Sequence, residues 1–285
     1  MDLPTFLDRA EALLQRIELL LPAPPPEPDW RALAHRWRRR QGRGFLEPVH
    51  HPHRIRLDDL QCVAEQKARI EQNTRQFVAG RSANNVLLTG ARGTGKSSLV
   101  KAVLHQFARK GLRLVEVDKH DLADLSEIVD LVAARPERFI VFCDDLSFEA
   151  SEPGYVALKS VLDGSIAGMP ENLLIYATSN RRHLMPEMMA ENLQTTRTDS
   201  GEIHPGETTE EKVSLSERFG LWLSFYPFDQ DAYLAICAHW LSTFGLSAKQ
   251  IEAARSEALL WALGRGARSG RVAWQFARDY AGKLK

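Results

Sequence analysis

NVLLTGARGTGKSS, residues Asn85–Ser98, is an apolar run followed by three glycines, a lysine and two serines. Val86, Leu87 and Leu88 predict a short buried strand, and Gly90 through Ser97 fit the phosphate-loop pattern G-x-x-x-x-G-K-[ST] without a gap. Gly90, Gly93 and Gly95 admit turns that a Cβ would obstruct, so the N–H groups of Gly90, Ala91, Arg92, Gly93, Thr94, Gly95 and the residues after them can converge on phosphate oxygens. Lys96 adds a cation, and the Ser97 hydroxyl suits Mg2+. From Ser98 onward Leu99, Val100, Val103, Leu104 and Phe107 recur at helical spacing, so a helix aims its positive end at the same phosphates. A nucleoside triphosphate with Mg2+ is the expected ligand.

Around this stretch lie 285 residues, 44% of them hydrophobic, enough for one sizeable core and a smaller second one. Thirty-seven basic residues balance thirty-seven acidic ones, so overall charge does not call for a nucleic-acid or membrane partner. Cys62, Cys143 and Cys237 are odd in number and far apart, which fits reduced thiols in a cytoplasmic protein, all three expected to be buried small apolar residues. Acidic residues interrupt the apolar N-terminus, so neither a signal peptide nor a membrane span is expected.

Toward the N-terminus, apolar residues at three- and four-residue spacing predict an amphipathic helix over 1–21, whose stripe needs a cover on its own chain or on another protein. A proline-rich linker opens the segment 22–56. Within it Arg31, Arg36, Arg38, Arg39, Arg40, Arg43, Arg54 and Arg56 are interleaved with Trp30, Trp37 and Phe45. Such a block suits nucleic acid, but the neutral net charge favours a solvated helix face with a docking loop. His50, His51 and His53 lack a further ligand at metal-site spacing nearby. Another helix is expected to start at Leu57 and to stop at Gly80.

Toward the C-terminus, strands are expected at 112–117, 139–143, 173–177 and 221–228, with helical stretches between them, including 122–134 and part of 148–169. Five strands so separated predict a parallel sheet with helices on both faces. Residues 229–285 are wholly helical in pattern. The polar, acid-rich segment 185–214 is expected to be a mobile loop. FIVFCDD (Phe139–Asp145) is an apolar strand ending in two carboxylates, at the edge where such sheets bind ligands. Asp144 suits Mg2+ and Asp145 suits the attacking water. Asn180, closing the run Ala177–Asn180, sits beside that edge and suits either the water or the terminal phosphate.

A phosphate loop, an acidic strand, a strand ending ATSN, then LSERFG (Leu215–Gly220) and a helical tail with Ser269-Gly270-Arg271 together resemble the AAA+ ATPases over about residues 55–285. FCDDLSFE (Phe142–Glu149), IYATSNRRHLMPE (Ile175–Glu187) and LSERFGLWLSFYP (Leu215–Pro227) are similar to the bacterial ATPases grouped as domain of unknown function 815. The resemblance implies a nucleotide-binding α/β domain over 57–228 and a helical lid over 229–285. It matches Lys96 and Ser97 to Walker A, Asp144 and Asp145 to Walker B, and Asn180 to sensor 1. Arg218 matches the arginine finger, which serves the next subunit and implies a homo-oligomer. Arg271 matches sensor 2, with Arg265 and Arg268 as competitors. One departure is the Asp-Asp ending, where the family usually has Asp-Glu. Asp145 is a methylene shorter, which implies slow hydrolysis, and Glu149 is the weaker alternative base.

Adenine itself follows only from the resemblance. The expectation is an ATP-hydrolysing oligomer that acts on an unidentified macromolecule, probed against two alternatives: a helicase-loader-like protein contacting nucleic acid through 30–56, and a nucleotide-gated module that docks a protein partner through 3–21. DKHDLAD (Asp118–Asp124) stands where AAA+ unfoldases carry an aromatic pore loop, which argues against polypeptide threading.

Overall fold

The computed structural model describes residues 3–20, 26–148, 152–164, 168–180, 196–197, 203–204 and 215–284. The expected mobile loop at 185–214, the linker residues 22–25 and Glu149 lie mostly or wholly outside them. Helix α1 (Leu3–Leu20) forms as the apolar spacing predicts, and Leu7, Leu13 and Leu14 on it are more than half exposed.

The sheet has seven strands rather than five. Strands β3 (Val86–Gly90), β4 (Leu112–Val117), β5 (Arg138–Cys143), β6 (Leu173–Ser179) and β9 (Leu221–Phe225) are the expected five, and all are parallel. The order across the sheet is β2-β1-β4-β5-β6-β3-β9. The two additional strands, β1 (Ala34–Arg40) and β2 (Arg43–Pro48), form a hairpin out of the basic block, β1 pairing parallel with β4. A short ribbon of β7 (Thr196–Arg197) and β8 (Ile203–His204) stands apart.

The hairpin corrects the reading of residues 30–56 as a solvated helix face. His35 and Trp37 are buried while Arg36 between them is exposed, a period of two that belongs to a strand. Gln41 and Gly42 both take positive φ (51° and 79°), the requirement of a tight hairpin turn whose twist matches the strands. Trp37, 1% exposed, lays its ring over β2, where a Cβ on Gly44 would fall 1.9 Å from Cζ2. Its indole N–H donates to Asp124 at 2.9 Å. The arginines are matched to acids from the end of β4 and the turn after it: Arg36 to Glu116 at 2.7 Å, Arg38 to Asp118 at 3.1 Å, and Arg39 to Asp124 at 3.4 Å. The Lys119–Asp124 segment is itself a 3-10 helix with Leu122 buried beneath it.

Helices cover both faces. Alternate strand residues divide the core as the pleat demands: Val86, Leu88, Ile140, Phe142 and Tyr176 pack with α3 (Lys96–Phe107) and α2 (Ala64–Val78), while Leu87, Val141, Cys143 and Ile175 pack with α4 (Leu125–Ala133) and α5 (Pro153–Asp163). The helix expected to start at Leu57 is instead a 3-10 turn, Leu57–Asp59, broken from α2 by Cys62 in a left-handed conformation (φ 61°), and that thiol, expected to be buried, is exposed. α4 begins at Leu125, later than the expected 122, because the 3-10 turn precedes it. A buried polar knot joins α2 to β6, where the Tyr176 hydroxyl meets Thr74 at 2.8 Å and Asn73 at 3.2 Å. Burial pushes that phenol up to about 12.

Residues after β9 form four helices, α6 (Gln230–Thr243), α7 (Ala248–Ala253), α8 (Arg255–Arg265) and α9 (Gly270–Lys283), around their own core of Tyr233, Leu234, Cys237, Ala258, Phe276 and others. Asp229 and Ser247 cap α6 and α7, each accepting from a main-chain N–H of the first turn. Among the described residues no helix is long and apolar enough to cross a membrane. Cys143 is buried, which pushes its thiol up to about 12, so it is a packing residue and not a nucleophile.

Candidate functional site

The strand-to-helix turn between β3 and α3 adopts the conformation its glycines permit. Gly90, Gly93 and Gly95 have φ of 123°, 74° and 100°. At Gly90 the reason is also contact: a Cβ would fall 1.9 Å from the Phe225 carbonyl, which accepts from Ala91 N–H at 3.2 Å. Gly95 precedes α3, whose first residue is Lys96.

Lys96 is 6% exposed, and its ammonium donates to the carbonyls of Gly90 (2.7 Å) and Ala91 (2.8 Å) and to Asn180 Oδ1 (3.0 Å). Burial lowers its pKa below the ordinary lysine value, against the opposing pull of Asp145 and Asp144; Arg92 lowers it further. Ser97 Oγ donates to Asp144 Oδ1 at 2.6 Å. Asn180 uses its other end to donate to Asp145, and so bridges Lys96 to the second acid. Asp145 itself is exposed and left-handed (φ 53°).

These groups line one cleft of about 650 Å3. Arg92, Gly93, Thr94, Gly95, Ser97 and Ser98 from the loop, the two acids and Asn180 face it, with Lys101 from the second turn of α3. The helical C-terminal segment adds a further wall through Trp240, Gly270, Arg271 and Trp274. Of the three arginines considered for that wall, Arg271 lines the cleft, whereas Arg265 stacks on Trp261 (4.8 Å). Arg218 is not among the lining residues; it follows the turn at Leu215 and pairs with Asp163 at the end of α5.

Oxygen donors at the Ser97–Asp144 junction fit a hard cation. One hydroxyl and one carboxylate converge there, the sparse protein set that Mg2+ takes when phosphates and waters complete its shell.

Sequence reasoning missed part of the cleft. His53, Ile55, Leu60 and Val63, from the segment read as linker and helix start, line it together with Phe228 and Ile236. The one signal was the pair Ile55 and Leu60, apolar residues in a polar stretch. Thr178 and Lys101 also went unnamed, because a threonine in a strand and a lysine on a helix carry no motif.

A family model described as Protein of unknown function (DUF815) matches residues 30–284. No curated protein matches the chain. Among solved structures, the E. coli MS115-1 HORMA:CdnC:Trip13 complex contains a chain with TM-score 0.51 at 14% identity, covering 79% of this chain and 90% of that one. The Thermotoga maritima RuvB Holliday junction branch migration motor matches with TM-score 0.46 at 16% identity, over 78% of this chain. This chain spans 63% of the RuvB chain's length. C. elegans PCH-2 matches with TM-score 0.46 at 12% identity, over 80% of this chain and 72% of that one. These neighbours are AAA+ ATPases.

Proposed function

Since the chain belongs to the family described as Protein of unknown function (DUF815) and shares the AAA+ fold, we propose that it is an ATP hydrolase whose nucleotide state moves the helical C-terminal lid within a homo-oligomer. The observation that carries this reading is convergence: Lys96, Ser97, Asp144, Asp145, Asn180 and Arg271 come from four separate stretches of chain and face one cleft or its immediate network.

In this reading the loop N–H groups and the start of α3 bind the β- and γ-phosphates. Lys96 exchanges its carbonyl partners for phosphate oxygens, and Ser97 and Asp144 hold Mg2+, which when bound neutralises charge on those phosphates. Asp145 accepts a proton from the water that adds to the γ-phosphorus as the bond to the β-phosphate oxygen breaks, releasing ADP and phosphate. Asn180 orients that water or the γ-phosphate. The apolar pocket of Ile55, Leu60, Val63, Phe228 and Ile236 receives the base. Arg271 reaches the phosphates from the lid. Arg218, outside the cleft of its own chain, serves the neighbouring subunit's γ-phosphate, and the target of the assembly is an unidentified protein. Ion pairs already occupy Arg36, Arg38 and Arg39, so the hairpin does not favour a nucleic-acid target.

The test is the ATPase rate against protein concentration for wild type, Lys96→Ala, Arg218→Ala and an equimolar mixture of Arg218→Ala with Asp145→Asn. The expected result is a rate that rises with concentration, vanishes in each single variant and partly returns in the mixture. ATP binding without turnover at any concentration would replace the hydrolase with a nucleotide-gated binding module. Absence of ATP binding would end the reading altogether.

A further inference from the structure

Thr178 belongs to neither the phosphate loop nor the acidic strand, yet it touches both acids. It is 1% exposed. Its hydroxyl donates to Asp144 Oδ1 at 2.5 Å and accepts from the main-chain N–H of Asp145 at 2.9 Å. A hydroxyl has one proton and two lone pairs, so these two bonds use its single donor and one acceptor. The chain on either side is stitched in the same way: Leu146 N–H donates to the Thr178 carbonyl at 2.7 Å, and Ser179 Oγ donates to the Leu146 carbonyl at 2.7 Å. The exit of β5 is therefore tied to the end of β6 over three consecutive residues.

That tie bears on conformation. A left-handed backbone is unfavourable for most residues with a side chain, less so for aspartate, and it persists where the surroundings over-determine it. At Asp145 (φ 53°) the anchors are the N–H bond to Thr178 and the carboxylate bond from Asn180. Asp144 is fixed likewise, with Ser97 and Thr178 donating to the same oxygen.

We propose that Thr178 is a positioning residue for the reaction, its one hydroxyl orienting Asp144 toward the Mg2+ position and holding Asp145 in the left-handed conformation from which it acts as base. The inference rests on the ATPase reading above. Its logic is that of groups behind a metal ligand, which orient the ligand without touching the ion, and whose loss weakens metal affinity or activity by about 10- to 100-fold.

The experiment measures binding as well as turnover. Fluorescent ATP-analogue binding is titrated with Mg2+ for wild type, Thr178→Val, which exchanges the hydroxyl for a methyl, and Thr178→Ser, which keeps it. Thr178→Val is expected to raise the half-saturating Mg2+ concentration and lower kcat, each by about 10- to 100-fold, leaving affinity in EDTA within about twofold of wild type. Thr178→Ser is expected to stay within about threefold of wild type on every readout. A folded Thr178→Val with wild-type Mg2+ dependence and kcat would overturn the proposal. So would a Thr178→Ser as impaired as Thr178→Val, because the role would then be the methyl's packing. If Thr178→Val fails to fold, Thr178→Cys, which differs from Thr178→Ser only in bearing sulfur, a weak donor, takes its place: a Mg2+ response impaired relative to Thr178→Ser supports the proposal and an equal one overturns it. Wild-type protein that binds no ATP would sink the ATPase reading and this role together, whereas a normal wild type beside a normal hydroxyl-less variant sinks this role alone.

Discussion

The main-chain N–H of Gly270 donates to the carbonyl of Gly93 at 2.8 Å, so the helix that carries Arg271 begins on the phosphate loop itself. Ser269, the cap of that helix, packs so closely that a Cβ on Gly93 would lie 2.8 Å from its side chain. The loop and the start of α9 are one joint.

Gly93→Ala therefore acts on α9 as well as on the loop. With φ at 74° and Ser269 in the way, the added methyl strains the loop and displaces α9. Nucleotide affinity is expected to fall by about tenfold or more, equivalent to about 1.4 kcal/mol, with little loss in the melting temperature of the sheet. Equilibrium binding of a fluorescent ATP analogue, set beside a melting curve, checks it; unchanged affinity would mean the joint does not matter to binding.

Asp145→Asn should separate binding from chemistry. Asparagine tolerates the left-handed backbone, so the loop keeps its shape and ATP still binds. Turnover should drop by roughly 100-fold or more, the range for loss of a general base. Paired binding and steady-state assays decide it, and undiminished kcat would pass the base role to another group.

Lys96 gives the cleft a pH signature. Burial sets its pKa below the ordinary lysine value, so between the two values the unfolded chain holds a proton that the folded one lacks. Stability contributed by this group is thus lowest at neutral pH and improves as pH rises toward the ordinary value. Phosphate needs the ammonium, so nucleotide affinity runs the other way: flat near neutrality and falling as pH climbs through the lowered pKa. Lys96→Arg, whose charge persists, should lack that fall. Binding isotherms from pH 7 to pH 10 on both proteins provide the comparison.

Gly44→Ala tests the hairpin. The methyl would collide with the buried Trp37 ring, and overpacking of this kind costs about 1–3 kcal/mol. Urea unfolding followed by tryptophan fluorescence should register that loss, with ATP binding preserved because the hairpin lies at the far side of the sheet from β3.

What the sequence disclosed, and what it hid, follows from where the information lies. Gly90–Ser97 and Phe139–Asp145 were legible because phosphate chemistry and a buried parallel strand each force a local pattern. The run from Ala34 to Pro48 was not, because its arginines masked a period of two that depended on Trp37 finding a glycine across the turn and acids 80 residues away. The 3-10 turn at Leu57–Asp59 escaped for a similar reason: its apolar spacing suits a helix, and the left-handed Cys62 that interrupts it has no signature. Thr178 was quoted as part of ATSN and passed over, since its role lies in two partners on another strand's end.

β2 ends the sheet, and it does so with six residues, of which Arg43 and Glu47 are exposed and Pro48 has no N–H to offer. Had the sheet stopped at β4, the terminal row of main-chain donors and acceptors would have belonged to the more apolar strand Leu112–Val117, a readier template for a foreign strand. Handing that position to a short, charged, proline-stopped strand makes edge-to-edge clumping unfavourable in a crowded solution. The hairpin's contribution, on this view, is to solubility during and after folding.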